Sequence, residues 1–549
     1  MKKMTPVLLE VTGNALLSIA EQMGVMLTKT GYSTNIKERK DLSVGIFTSK
    51  GKLLALAQHI PIHFSSLFSA VEGVLKKWDI SEIYEGDVFI ANDPYSGGGS
   101  HLPDLVLVKP VFYEDELVAF VVNIGHHADR SRRGPTIFDE GLRIPIVKLY
   151  EKSQLVKDIY DLILLNYQLK EERVGDLRAQ QITNQFGEKK VIELCDKLGL
   201  ETYNNFCEEW LKYGERKAKT AISMLPDGEY EFEDYMDSDG CGNVDIPIKV
   251  KVIIKGDKIC FDFTGSSRQV EGPYNCVKCA LLATVYYSVK ALIDHTIPAN
   301  SGYFDSIEVN APEGTIVNAV EPAPTFDRET TSQRIADVIF GAFSKIDPKK
   351  VIAAGNGSVS FFSFSGFNRR INKPYVYVET IGGGSGARYN KDGLDAVQVH
   401  MTNSSNLPVE ALEMEYPLRV EKYELCEDSG GAGKYRGGLG INRTIRILGD
   451  SQDTTLIAAT ERIKRKPWGL CEGMSGATAE LNIIRNGEKI NEEGKVRNFK
   501  LEEGDIVELK TAGAGGYGNP LERGREHVMN DFREGKVTKE HLKDYGFEI

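Results

Sequence analysis

Residues 105–129 read LVLVKPVFYEDELVAFVVNIGHHAD. Two apolar runs flank the pair Glu114-Asp115, and that arrangement predicts a β-hairpin turning at those residues. The second run, LVAFVVNIG (117–125), is nearly unbroken, as expected of a buried strand. It ends on His126, which should emerge at the edge of a sheet beside a loop. A hairpin at this point argues against alternating strand–helix–strand units.

The flanking chain agrees. Residues 5–30 carry apolar side chains at helical spacing (Leu8, Val11, Leu16, Ile19, Met23, Met26, Leu27) and predict a long helix. LSVGIFTSKGKLLALAQ (42–58) predicts two strands about a turn at Ser49-Lys50-Gly51, and 64–79 a helix. GDVFIANDPY (86–95) predicts a strand running into a loop, and 153–223 is strongly helical. From residue 225 the texture changes to short alternating segments with Gly and Asp turns, as in IPIKVKVIIKGDKICFDFTGS. Helices return at 276–293 and 330–345, and 350–520 is rich in glycine and strands. The expected fold is multi-domain α+β, with mixed helices and predominantly antiparallel sheets. The expected divisions are an N-terminal α+β metal-binding region (1–224), a central α+β region (225–350), a Gly-rich β region (351–520) and a helical tail (521–549).

Composition narrows the function. The 549 residues hold 67 Lys plus Arg against 79 Asp plus Glu, a formal charge of −12. No basic stripe suited to a phosphate backbone is present, so a nucleic-acid role is not expected. The most basic short run, RIKRKP (462–467), reads as a solvated face. No stretch approaches the ~20 apolar residues of a membrane-spanning helix. The start lacks an unbroken apolar leader, because Glu10, Thr12 and Asn14 interrupt it. Eight scattered cysteines in so long a chain imply reduced thiols and a cytoplasmic location. Cys276 and Cys279 form a CxxC without the second pair that a zinc knuckle needs.

Chemistry concentrates early. Five of the nine histidines (His59, His63, His101, His126, His127) fall within 69 residues, where even scatter would place about one. Imidazoles and carboxylates are the usual ligands of first-row divalent metals. In HLPD (101–104), His101 and Asp104 stand three apart across a proline, after GGGS, whose glycines permit close backbone approach. His101, Asp104 and His126 are therefore candidate ligands, with Asp41 as a fourth and Asp129 or His127 as substitutes. The competing reading is that each histidine is a hydrogen-bonded structural group. His59 and His63 flank Pro61 and suit supporting or substrate contacts. Glu38, Asp93 and Asp176 are candidate acid/base groups. Three Gly-rich stretches (382–388, 429–440, 512–520) do not match the GxxxxGK[ST] phosphate loop and read as turn chemistry.

The ordered motifs NIKERKDLSVGIF (35–47), AQHIPIHFSS, GDVFIANDPYSGGGSHLPD, GHHAD, EGLRIPIVKLY, GDLRAQ, DFTGSS, ETIGGGSGAR, DGLDAVQVHMTN and PVEALEMEYPLRV, through to AGAGGYGNP, span about 5–520. In these the chain resembles the B-type subunit of the hydantoinase B/oxoprolinase family. The resemblance implies a division of labour. A separate A-type subunit with an actin-like ATP site, which also binds the Mg, phosphorylates a carbonyl oxygen. The B-type subunit completes the reaction at a divalent metal: zinc or manganese, with iron a third option. In hydantoinases, 5-oxoprolinases and lactamases the outcome is ring opening of a cyclic amide by water. In acetone and acetophenone carboxylases it is carboxylation of a ketone. The resemblance carries the metal ligands onto His101, Asp104 and His126, with Asp41 as fourth. Glu38, His59 and His127 become the candidates for proton transfer. It also implies a heterotetramer or larger assembly, and leaves open a non-catalytic subunit whose metal is structural. One departure is GHHADRSRRGPTIFDEGLRIP (125–145), short and basic where many relatives continue GHxADVGG. Arg130, Arg132 and Arg133 there suit a phosphorylated or carboxylated intermediate, or form a solvated loop.

Overall fold

The computed structural model of the chain describes residues 4–127, 133–491 and 493–547. The first part runs α1 (Pro6–Thr30), α2 (Thr34–Lys37), β1 (Leu42–Thr48), β2 (Leu53–Leu56), α3 (Phe64–Lys77), β3 (Val88–Ala91), β4 (Asp104–Tyr113) and β5 (Glu116–His126). It continues through β6 (Val147–Glu151), β7 (Gln154–Leu155), α4 (Lys157–Leu165), α5 (Lys170–Leu198) and α6 (Leu200–Ile222). The seven strands form one antiparallel sheet in the order β2-β1-β5-β4-β3-β6-β7. Both faces are covered, by α3 on one side and by α5 and α1 side by side on the other, α5 over β4 and β5 and α1 over β1 and β2. That double cover is why LVAFVVNIG is apolar throughout rather than alternating. Val121, Val122 and Ile124 have no exposed surface, and each such side chain contributes roughly 1.5–3 kcal/mol.

The one polar residue inside this run, Asn123, is satisfied from α5. Its amide donates to the Gln180 carbonyl and to Asn184 Oδ1, both at 2.8 Å, while Gln180 Nε2 donates to Asn123 Oδ1 at 2.9 Å. A buried amide without partners would be costly. Close packing of α1 on α5 requires Gly187, where a Cβ would sit 2.5 Å from Met23 Sδ.

The central part holds β8 (Gly228–Ser238), β9 (Val244–Lys255), β10 (Lys258–Asp262), α7 (Lys278–Leu292), α8 (Ser301–Phe304), β11 (Ile307–Asn310) and α9 (Arg328–Ser344). Its sheet order is β11-β10-β9-β8, and β10–β11 is the one parallel pairing among the described strands of the sheets. Helix α9 lies on β8 and β9 and also packs on α7, and α7 in turn meets α3. One apolar core therefore runs from Phe47 and Phe64 to Ile339 and Met401.

The last part comprises β12 (Ser360–Asn368), β13 (Lys373–Ile381), α10 (Val409–Glu415), β14 (Leu418–Leu425), β15 (Ile441–Ile447), β16 (Ser451–Ala459), β17 (Glu480–Arg485), β18 (Glu488–Asn491), β19 (Lys495–Lys500), β20 (Ile506–Lys510) and α11 (Arg525–Arg533). Two sheets, β13-β12-β16-β19 and β14-β15-β20-β17-β18, enclose a core around Phe362, Phe364, Ile445 and Val507. The three Gly-rich stretches meet here backbone to backbone. A Cβ at Gly437 would lie 1.9 Å from the Ala514 carbonyl oxygen, and one at Gly384 would lie 2.1 Å from that of Gly438. The architecture is mixed α+β with mostly antiparallel sheets. Among the described residues no helix is long and apolar enough to cross a membrane.

Candidate metal centre

Three strand ends meet at one corner of the seven-stranded sheet. Strands β1, β5 and β4 are neighbours, so the residue before β1, the last of β5 and the first of β4 converge. Leu42 pairs with Gly125, and the His126 amide donates to the Asp41 carbonyl at 3.0 Å. Asp104 stands directly opposite His126 in the β4–β5 ladder. His101 arrives from the turn before β4. That turn is held by Asn92, whose amide donates to the Leu102 carbonyl (2.7 Å) and the Leu142 carbonyl (2.9 Å). Gly97 has φ +92°, and a Cβ on Gly98 would lie 2.5 Å from the Asp93 nitrogen, so this path requires glycine.

One ligand atom each from His101, Asp104 and His126 lies within 4.8 Å of the others. Asp104 Oδ1 is 3.0 Å from His101 Nε2 and 3.1 Å from His126 Nδ1. Asp104 is fully buried and His101 nearly so. His63 Nε2 stands 3.6 Å from both Asp41 Oδ1 and Asp104 Oδ2, and its Nδ1 is 3.3 Å from Ser43 Oγ. Arg328, the first residue of α9, reaches in from 224 positions away. Its Nη2 donates to Asp104 Oδ2 at 3.1 Å, its Nε to Ser100 Oγ at 2.9 Å and its Nη1 to Glu329 at 2.6 Å.

The His101 tautomer bears on whether a metal fits. Its Nδ1 is 2.9 Å from the Phe326 carbonyl oxygen, which can only accept. Arg328 Nη1 also lies 3.1 Å from Nδ1, but the shorter carbonyl contact and the closer Glu329 partner favour a proton on Nδ1. The Nε2 lone pair is then bare, beside Asp104 but off the line to it. Although only 3.0 Å away, Nε2 has no hydrogen bond of acceptable geometry and is buried. An imidazole fixed by its far N–H to a backbone carbonyl, with its near nitrogen bare, is the usual state of a histidine ligand. Electrostatics agree. Burial, then the Arg328 guanidinium, push His101 down to about 4. Burial also lowers His63, against the pull of Asp104 and Asp41. Burial alone would raise Asp104, but His101 and His63 hold its carboxyl well below the ordinary range. A neutral His101 and an ionised Asp104, with the imidazole of His126 beside them, form a donor set that fits a divalent transition metal.

A small cavity of about 70 Å³ adjoins these residues, lined also by Asp41, Arg39, Arg133 and Glu329. Of the three residues expected to move protons, none lines it. Glu38 is half-buried at the end of α2, 4.0 Å from Lys37 and away from the cavity. His59 faces a different cavity, with its ring against Gly24. His127 is buried behind the sheet end, with Nε2 2.9 Å from Gln180 Oε1, and burial pushes it down to about 3. His127 follows the last strand residue, so the strand's alternation turns it away from His126. Arg133 does line the cavity. It is held by Asp327 (Nη2–Oδ1 2.6 Å, Nε–Oδ2 3.1 Å) and lies 3.9 Å over the Phe326 ring. Asp129, Arg130 and Arg132 lie outside the described residues. Arg328, Glu329 and Arg39 carry no signal in the sequence, because nothing local in TFDRETT (325–331) ties it to a histidine two hundred residues earlier.

Fold and site together define a protein with a candidate metal centre built on strand ends. The family model described as Hydantoinase B/oxoprolinase matches residues 5–520, and the chain belongs to that family. It is 34% identical to the B-type chain of a putative D-/L-hydantoinase of Pseudomonas sp. (strain NS671), covering 100% of this chain and 96% of the relative. It is 32% identical to 5-oxoprolinase 1 of Arabidopsis thaliana, covering 93% of this chain but 42% of that longer protein. The crystal structure of the ATP-dependent caprolactamase from Pseudomonas jessenii superposes with a TM-score of 0.92 at 28% identity, over 100% of this chain and 97% of that one. A nucleotide-free acetone carboxylase shares the fold, with a TM-score of 0.91 at 19% identity over 99% and 80%.

Proposed function

We propose that this chain is the metal-binding B-type subunit of an ATP-dependent enzyme that opens a cyclic amide: a hydantoin, 5-oxoproline or another lactam. The observation that carries this reading is the bare, buried Nε2 of His101, 3.0 Å from Asp104 Oδ1 and clustered with His126. A divalent ion held by these three residues, with Asp41 as a fourth donor, would supply Lewis acidity toward a carbonyl and lower the pKa of water.

This chain's own groups do the rest. His63 lies where a proton leaving the reacting water can be received, 3.6 Å from Asp41 and Asp104. It takes the proton-transfer role in place of Glu38, His59 and His127. Arg39, Arg133 and Arg328 line the pocket. Guanidinium groups orient an anionic intermediate such as an O-phosphorylated imidate. An unstrained amide carbonyl is a poor electrophile, which is why activation by ATP is needed. That step belongs to an A-type partner subunit. Support comes from the hydantoinase relative, itself named as one of several subunits, and from the 5-oxoprolinase, of which this chain spans only about two-fifths.

The test is co-purification with an A-type chain and measurement of ATP hydrolysis over hydantoin, 5-oxoproline, caprolactam and acetone, with and without bicarbonate. Lactam-stimulated phosphate release that needs no bicarbonate is expected. Release that requires both a ketone and bicarbonate would assign the chain to a carboxylase instead.

A further inference from the structure

A second cavity, of about 880 Å³, lies on the other side of the segment His59–His63. Ile60 belongs to the walls of both cavities, whereas His63 faces the smaller and His59 the larger. The larger one falls within the size range of small-molecule sites. Its mouth is marked by the exposed residues Glu10, Asn14 and His295, and its deeper wall by Phe64, Tyr286 and Tyr287.

Three observations argue for a built site. The first is Lys290, one turn after Tyr287 on α7. Its amine donates to the Ile297 carbonyl, and among the described residues the nearest acting carboxylate, Asp294, stays beyond ion-pair distance. Burial pushes the amine down to about 8. The second is the balance of charge around the lining. Lys217 and Lys290 share the lining with one carboxylate, Glu10, which already accepts from the Tyr213 hydroxyl at 2.6 Å, while Asp294 lies near both lysines outside the lining. The third is a fixed wall. The Tyr287 hydroxyl lies 3.4 Å from His400 Nδ1, and His400 Nε2 lies 3.2 Å from the buried Asp337. His400 holds this pose with φ +48°, a left-handed conformation that L side chains rarely adopt.

We infer that this cavity is a second binding site, separate from the metal centre, for a small carboxylate with an apolar body, its carboxylate seated on Lys290 and its body between Phe64 and Tyr287. An apolar wall with few convergent polar groups suits such a molecule, and a half-buried ammonium without a carboxylate at ion-pair distance draws an anion.

Titration calorimetry on the full chain, without any partner or ATP, tests this with three six-carbon probes: hexanoate, hexanol and hexylamine. Hexanoate should bind saturably, one per chain. The other two should bind at least ~10-fold more weakly, and Lys290→Met should weaken hexanoate by a similar factor. Lys290→Arg should keep most of the affinity, and His101→Ala should leave it unchanged, which separates this site from the proposed reaction centre. Absence of saturation, equal binding of hexanol, or an effect of His101→Ala without one of Lys290→Met would overturn the inference. Should Lys290→Met fail to fold, anomalous scattering from crystals soaked in 6-bromohexanoate decides. Bromine between Phe64 and Tyr287 supports the site, and bromine only elsewhere rejects it.

Discussion

Arg328 is the residue on which the candidate centre most depends without being one of its ligands. Its guanidinium is buried and forks between Asp104 and Glu329. Removing one member of a buried ion pair leaves the other uncompensated. Arg328→Leu should therefore lower unfolding free energy by about 3–5 kcal/mol in chemical denaturation. Arg328→Lys should recover only part of this, since an ammonium cannot reproduce the fork. Glu140 gives a second, pH-dependent expectation. Its Oε1 accepts from the Thr325 and Phe326 amides at 2.9 and 2.8 Å, which sets the carbonyl that orients His101. Burial pushes its carboxyl up from 4.5 to about 8. Between those values the unfolded chain releases this proton while the folded chain keeps it, so stability falls as pH rises across that window. Below 4.5 and above about 8 the group adds no slope. Glu140→Gln keeps the acceptor and removes the titration. The midpoint at pH 8 relative to that at pH 5 should thus be higher in the variant than in the parent.

The turn before β4 is the element that brings a histidine to the strand ends. At Gly98 an added Cβ would press on backbone atoms of Asn92 and Asp93, which have no flexible end to move aside. Gly98→Ala should cost about 1–3 kcal/mol through overpacking and displace His101. A lowered melting temperature with weakened zinc or manganese binding is the expected pair of readouts. Much at this level was legible in the sequence. The β4–β5 hairpin and its turn at Glu114-Asp115 follow from apolar runs because both strands are buried almost end to end, and the long α1 because its buried residues recur at helical spacing. The approach of His101, Asp104 and His126 was legible for a related reason. HLPD opens one strand and GHH closes its neighbour, so antiparallel pairing alone makes them meet. Contacts made across the fold left no local trace. Arg328 arrives on α9, Arg133 turns to Asp327, and the partition of His59 and His63 between two cavities depends on how one short segment threads between them.

Across the whole molecule, the C-terminal part is fastened to the centre by buried charge. Arg462 donates to Asp337 on α9 at 2.8 Å and lies 2.9 Å from Asp234 on β8, while Glu461 accepts from the Asp237 amide at 2.8 Å and lies 3.5 Å from Arg334 on α9. Arg462→Met takes one charged partner from two buried carboxylates, leaving Asp234 with Arg334 and Asp337 with His400, and should cost about 3 kcal/mol. Limited proteolysis should then release a C-terminal fragment that the parent withholds. The same assembly of parts shapes the candidate centre. The seven-stranded sheet contributes His101, Asp104 and His126, the central helix α9 contributes Arg328, and Val359, Phe361 and Val378 close the pocket from the C-terminal sheet. Metal content of the purified full chain, measured by mass spectrometry after dialysis and zinc or manganese loading, bears on that centre without needing substrate or partner. One divalent ion per parent chain is expected, with loss of bound metal in His101→Ala and in Asp104→Ala, both still folded by circular dichroism. Stoichiometric metal in both folded variants, or none in the loaded parent, would contradict a metal centre at these strand ends.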